Sequence, residues 1–423
     1  MFRAIPRPFL SARFLPRTCR HRTFSFTPNY LQPRSVAGKP LAFREQLARE
    51  DLAPSFTEKV QRPSIRNQVL FFVFGSFVVF SLAAKRTDDE TAYWSKKLSE
   101  TGNLIFKLRP PSSEEMRRAR HLELGKTLKA GLVKLQEAVE EWPVTIKNTA
   151  VWTYIQLLQP VLETPEGKRI CWAIGFLNGA IWLAWKIPRL QPFMMRSFTH
   201  HPLSGLSYTL LTSMFSHKSF VHLLFNCMAL TGFGSAATVY MMRSQQQSPT
   251  GLQEATVKWH FLAFFISAGL FSGLASHVVA ARIHFPRLVA ELRSTVSASG
   301  KNLGSGSAAA AAAKESRPIL PSLGASGAIY AAVTLSALAF PETHISLIFP
   351  PTPPIPIQVG VSGLVLLDII GALRGWRLFD HWAHLGGAAF GVFYYYCGPA
   401  IWDMFRIANL SVPAKVKDGK SKA

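Results

Sequence analysis

Charge is what this sequence has least of. Only 17% of its 423 residues are Asp, Glu, Lys or Arg, against 48% hydrophobic, which is too little polar coverage for a soluble surface of this size. Cysteine is scarce as well. Cys19, Cys171, Cys227 and Cys397 stand far apart without metal-ligand spacing, which excludes a disulfide framework and a zinc site and leaves no metal or cofactor implied. The charge that is present sums to +23, yet the basic residues lie in the termini and in loops between apolar runs, not among aromatics in a polar domain. That distribution argues against nucleic acid as a partner and for the lipid bilayer. The spans show no internal repeat, which speaks against a transporter with a midplane site.

Acid is missing from the first 44 residues, which carry eight Arg and one Lys before Glu45. With Ser and Thr interspersed and no apolar h-region, this reads as a mitochondrial transit peptide and not as a secretory signal. The remaining chain divides into an N-terminal region at 45–165, a helical core at 166–402 and a basic tail at 403–423.

Apolar runs occur at about 69–84, 170–185, 219–242, 259–281, 326–340, 355–373 and 379–402. They predict an all-α polytopic membrane protein with one leading helix and six more. Between the first two runs, residues 112–142 open with a capping box, Ser112 to Glu115, and keep Leu124, Leu128, Leu132, Leu135 and Val139 on one face before Pro143. This predicts an amphipathic helix outside the membrane core, lying on the bilayer or packed on the helical core. The low-complexity stretch at 282–323 reads as a flexible linker and FPPTPPIPI at 349–357 as a stiff turn.

Orientation follows from Lys and Arg in the connections. With alternating spans, the loops at 186–205, 282–323 and 374–379 carry eleven, and those at 243–258 and 341–354 carry two. The N-terminus then shares the basic face, the matrix side in a mitochondrial inner membrane.

Polar groups inside apolar helices are costly and mark functional candidates. Three clusters qualify: FVHLLFNCM with His222 and Asn226, GASGAIY with Ser326 and Tyr330, and FDHWAHLGGAAFG with Asp380, His381 and His384. Each has an ordinary reading taken singly. Ser326 between Gly324 and Gly327 fits close helix packing, His384 fits a buried histidine, and Gly387 with Gly391 forms a GxxxG face. Together they say more. Gly327 and Ala331 share a face with Ser326 and can meet a helix that shows His384, Gly387, Ala388 and Gly391. In an alternating topology all three clusters also start at the same depth on the basic face.

HxxxN, GxSG followed by Tyr, and AHLGGAAFG in this order resemble the rhomboid intramembrane serine proteases over about residues 165–402, and the leading helix resembles the mitochondrial members. The resemblance implies a six-helix rhomboid core plus one N-terminal helix. It implies Ser326 as nucleophile and His384 as general base, a dyad without a required acid. His222 and Asn226 would complete the oxyanion hole, Tyr330 would pack on the histidine ring, and Gly324 would free the backbone before the helix. The implied substrates are membrane-anchored inner-membrane proteins, dynamin-like GTPases among them. Asp380 competes as a third catalytic member, but at the first turn of a span an N-cap is the better reading. His381 is a second candidate base whose face differs from that of His384. A silent rhomboid-like chaperone or scaffold is the alternative, and it predicts loss of Ser326 or His384, both of which are present.

Overall fold

The computed structural model describes residues 62–410 apart from 102–105, 107–108, 301–318, 347–350 and 377–378. The transit-like segment and residues 411–423 of the basic tail lie outside the described residues. Helix α1, Ile65–Glu100, starts where Ser64 accepts the Asn67 N–H at 3.3 Å. At ~1.5 Å per residue its 36 residues outreach a hydrocarbon core of ~30 Å. Its apolar half ends near Ala84, so the charged half extends beyond the membrane.

Helix α2, Ser113–Ala138, forms the expected capping box. Arg109 grips Glu115 through both guanidinium nitrogens at 2.6 and 2.9 Å, and this contact, together with the Ser112 N–H, holds the Glu115 carboxyl down to about 2. The leucine face of α2 turns neither to lipid nor to the helical core. It meets α3, Val144–Glu163, where Tyr154 Oη donates to the Leu128 carbonyl at 2.8 Å. Lys97 and Glu123, 3.3 Å apart, join α2 to the extension of α1. The sequence reading did not separate α3 as an element, because its uncharged polar residues blur the apolar periodicity.

The remaining helices are α4, Glu166–Ala184; α5, Gln191–Ser197; α6, Phe220–Gln246, with a π-helical interior at Leu230–Gly234; α7, Lys258–Val279; α8, Phe285–Gly300; α9, Ser326–Ala339; α10, Ile357–Arg374; and α11, His381–Leu410, all but α5 and α8 following the apolar runs. One correction arises. The expected linker begins as helix, because the π-helical turn Ala280–His284 carries α7 directly into α8, and the alanine-rich tract 301–318 lies outside the described residues. Before α10 the proline-rich connection closes with a two-residue antiparallel pairing of β1, His344–Ile345, and β2, Ile355–Pro356.

The protein is a multi-pass membrane protein. Among the described residues four helical segments are long and apolar enough to cross a bilayer alone: Ile65–Glu100, Phe220–Gln246, Lys258–Glu291 and Ile357–Arg374. Helix α4 has 19 residues but is long and apolar enough only together with Pro188–Ser197, which turns from it by 96°. Helix α9 is a shorter apolar helix of 14 residues, sheathed by protein. Length and composition therefore leave the expected count of seven undecided.

Helix α9 is the centre of the core, with ten of its residues buried, between α7 and α11. Its small side chains allow the close approach. A Cβ on Gly387 would overlap the Gly327 carbonyl, and one on Gly391 the Ala331 carbonyl. Helix α1 covers α7 and α11 from outside through Phe72 on Phe271 and Phe80 on Trp402. Its far end is locked by charge: buried Arg406 of α11 binds Asp88 of α1 and, at 2.9 Å, Glu254. Helix α10 is largely open, leaving Val359, Leu366, Leu367 and Leu373 exposed and burying Ile357, Val361, Asp368 and Gly371.

Candidate active site

The segment leading into α9 is held from three sides. His200 and Ser322 exchange both backbone hydrogen bonds at 2.9 Å, and the Gly324 N–H donates to the Ser213 carbonyl at 2.9 Å. Gly324 has φ 123°, a conformation that side chains disfavour, and a Cβ there would also stand 2.7 Å from His222 Cε1. Next, the Ala325 N–H donates to His217 Nε2 at 3.4 Å. His217 is fully buried, and burial, aided by His222 with ring centroids 5.0 Å apart, pushes its pKa down to about 4. The neutral ring keeps the lone pair that accepts from Ala325.

Ser326 is the first residue of α9, and its Oγ lies 2.9 Å from His384 Nε2. The His384 ring is stacked on Tyr330, with centroids 4.3 Å apart and planes within 9°, while Phe379 tilts against it at 6.1 Å. His384 sits one turn into α11, whose start is set by Asp380. Asp380 Oδ1 accepts the Ala383 N–H at 3.0 Å, and Oδ2 accepts from Ser276 at 2.7 Å and Ser322 at 2.6 Å. Asp380 is thus an N-cap that also ties the segment before Ser326 to α11 and α7.

The carboxylate on His384 comes from elsewhere. Asp368, buried on α10, places its oxygens 3.1 and 3.3 Å from His384 Nδ1 and 2.6 Å from His381 Nδ1. His381 therefore faces the carboxylate and not Ser326. The sequence reading passed over Asp368 inside an apolar run. The signal was there in a lone carboxylate within a span.

His222 and Asn226 lie on one face of α6. The His222 ring covers the Gly324 turn, and Asn226 Nδ2 donates one hydrogen to the His222 carbonyl at 2.8 Å, leaving its second for another acceptor. Gly387 and Gly391 stand opposite Gly327 and Ala331, and around Ser326 the structure gathers His384, Tyr330 and, across the Gly324 turn, His222. It adds His217 and Asp368. No group of three or more His, Cys, Asp or Glu poised for a metal ion occurs among the described residues.

Chemically, this is a hydroxyl at a helix N-terminus, hydrogen-bonded to an imidazole whose other nitrogen meets a carboxylate. Backbone N–H groups and the positive end of the helix dipole lie beside the hydroxyl. Helices α6 and α10 flank the site and make at most marginal contact with each other, each exposing apolar side chains, Val221 and Leu224 on one and Leu366 and Leu367 on the other.

Comparison with known proteins points to one family. Residues 205–400 match the model of the rhomboid domain. Over 230 residues, 54% of this chain and 48% of the relative, the sequence is 30% identical to presenilin-associated rhomboid-like protein, mitochondrial, of Homo sapiens and to presenilin-associated rhomboid-like protein A, mitochondrial, of Danio rerio. It is 22% identical over 296 residues, 70% of each chain, to rhomboid protein 1, mitochondrial, of Saccharomyces cerevisiae. The chain spans about half the length of the presenilin-associated relatives that it matches.

Proposed function

Residues 205–400 being a rhomboid domain, we propose that the chain is an intramembrane serine endopeptidase of the mitochondrial inner membrane that cleaves membrane-anchored proteins within or near their transmembrane segment. The observation that carries this reading is the 2.9 Å contact between Ser326 Oγ and His384 Nε2. A packing serine has no need of an imidazole that is itself stacked, capped and hydrogen-bonded into one orientation.

In the proposed mechanism Ser326 Oγ attacks the scissile carbonyl carbon while its proton passes to His384 Nε2. Asp368 accepts the Nδ1–H and stabilises the imidazolium. The oxyanion takes hydrogen bonds from backbone N–H groups at the start of α9, with His222 and Asn226 as further donors. When the tetrahedral species collapses, the C–N bond breaks and His384 returns its proton to the leaving amine. Water then attacks the acyl ester with His384 as base and regenerates the Ser326 hydroxyl.

The substrate is expected to be a helix that must unwind first, because its peptide groups are hidden in its own hydrogen bonds. Residues that weaken helices near the cleaved bond favour this step. The unsealed side between α6 and α10 is the lateral route that suits a membrane-borne segment. By the distribution of Lys and Arg the site opens toward the matrix.

The test is cleavage of a membrane-anchored substrate by purified protein in proteoliposomes. Ser326→Ala is expected to abolish product while the protein still inserts and binds the substrate. Undiminished cleavage by that variant defeats the mechanism, and binding without cleavage by the unaltered protein points to the scaffold alternative.

A further inference from the structure

A second site lies at the start of α1, where the chain enters the membrane. Arg62, Pro63 and Ile65 face Ala281 and Arg282 of the π-helical turn across a cavity of about 220 Å³. Two arginines, one three residues before α1 and one in the turn that follows α7, thus line one small space. Acid is sparse around them in the sequence: residues 62–87 and 255–290 contain no Asp or Glu, the nearest being Glu58, four residues before Arg62, and Glu291, nine after Arg282, while Arg66 and Arg287 add to the charge. Neither Arg62 nor Arg282 forms an ion pair among the described residues. The first turn of α1 is likewise free of acid, so its dipole adds to the positive field.

Depth identifies the ligand. The apolar stretch of α1 starts near Val69 and that of α7 ends near Ala281, which puts both arginines at the boundary where lipid phosphates lie. Below the cavity α1 exposes Leu70, Val73 and Phe74, the last at 70%, a strip against which an acyl chain can lie. A free anion has no use for that strip.

We propose that this cavity binds the phosphate of an anionic phospholipid, clamped between Arg62 and Arg282, with the acyl chains along the exposed face of α1. Basic pockets between membrane helices recognise anionic headgroups in this way, and guanidinium groups suit phosphate oxygens through paired hydrogen bonds. The lipid then joins the leading helix to the core at the rim opposite the Arg406 lock, and the site is separate from Ser326 and His384.

The experiment is native mass spectrometry of the full chain released from nanodiscs that contain phosphatidylglycerol and phosphatidylcholine with identical acyl chains. The unaltered protein is expected to retain phosphatidylglycerol preferentially. The Arg62→Gln, Arg282→Gln double variant should lose that preference by roughly 30-fold, about fivefold for each interfacial arginine, with phosphatidylcholine adducts unchanged. Arg62→Lys, Arg282→Lys should keep an intermediate preference. Should the double Gln variant prove unstable, Arg282→Gln alone is read against Arg287→Gln, with the larger loss expected at Arg282. Equal retention of the two lipids by the unaltered protein overturns the proposal. So does preference that survives in the Gln variants, or displacement of phosphatidylglycerol by excess inorganic phosphate, which would mark a site for free anions.

Discussion

The Asp368 carboxylate of α10 meets Nδ1 of His384 on α11 at 3.1 Å, while the opposite nitrogen of the same ring meets Ser326 at 2.9 Å. A carboxylate in that position selects the tautomer in which Nε2 can accept the serine proton, and it faces the positive charge that forms on the ring. Asp368→Asn preserves shape and removes the charge. Turnover in proteoliposomes is expected to fall by about 100-fold or more, with less change in KM, in line with the loss of an orienting carboxylate elsewhere. Turnover within about threefold of the unaltered protein would show that the proposed dyad works without the acid.

Asp380 should behave in the opposite way. Because it caps α11 and accepts from Ser276 and Ser322, Asp380→Asn retains a good N-cap and most of the activity. Asp380→Ala should lower stability by about 1 kcal/mol or more through loss of the cap. Thermal unfolding and turnover measured on both variants separate this from catalysis. Loss of turnover in Asp380→Asn at unchanged stability would promote the residue to the chemistry.

Gly387 faces the Gly327 carbonyl too closely for any side chain. Gly387→Ala has to push α9 and α11 apart, at a cost of about 1–3 kcal/mol for overpacking. A lower unfolding temperature and reduced turnover are expected together, because the same separation stretches the contact between Ser326 and His384. An unfolding temperature equal to that of the unaltered protein would mean that the helices are less tightly joined.

Acid should loosen the turn before Ser326 through His217. Burial first, and His222 second, push the folded pKa down to about 4, below the ~6.5 of an exposed histidine. The unfolded chain therefore binds the additional proton between those values. The His217 contribution is complete above about pH 6.5, falls as the pH drops and is exhausted below about pH 4. Unfolding temperatures measured across that window should decline more steeply for the unaltered protein than for His217→Gln. Parallel slopes would rule out His217 as a source of the acid sensitivity.

The sequence alone determined much of this protein. Apolar runs announce helices because a bilayer demands internally satisfied backbone. GASG, HxxxN and AHLGGAAFG are local patterns whose spacing already puts small and polar residues on shared helical faces. The capping box at Ser112 and the cap at Asp380 are equally local, since both act within one turn. What the sequence did not carry was the partner of the α2 leucine face, which required α3 to fold back on it. Nor did it carry the role of Asp368. That residue lies 16 positions before His384, and only the rotation of α10 against α11 decides whether its carboxylate meets lipid or the imidazole. Such a rotation depends on the packing of whole helices, which no short pattern encodes. The same physics sets the Arg62 and Arg282 pair, two residues far apart in the chain that became one site only when α1 lay antiparallel beside α7.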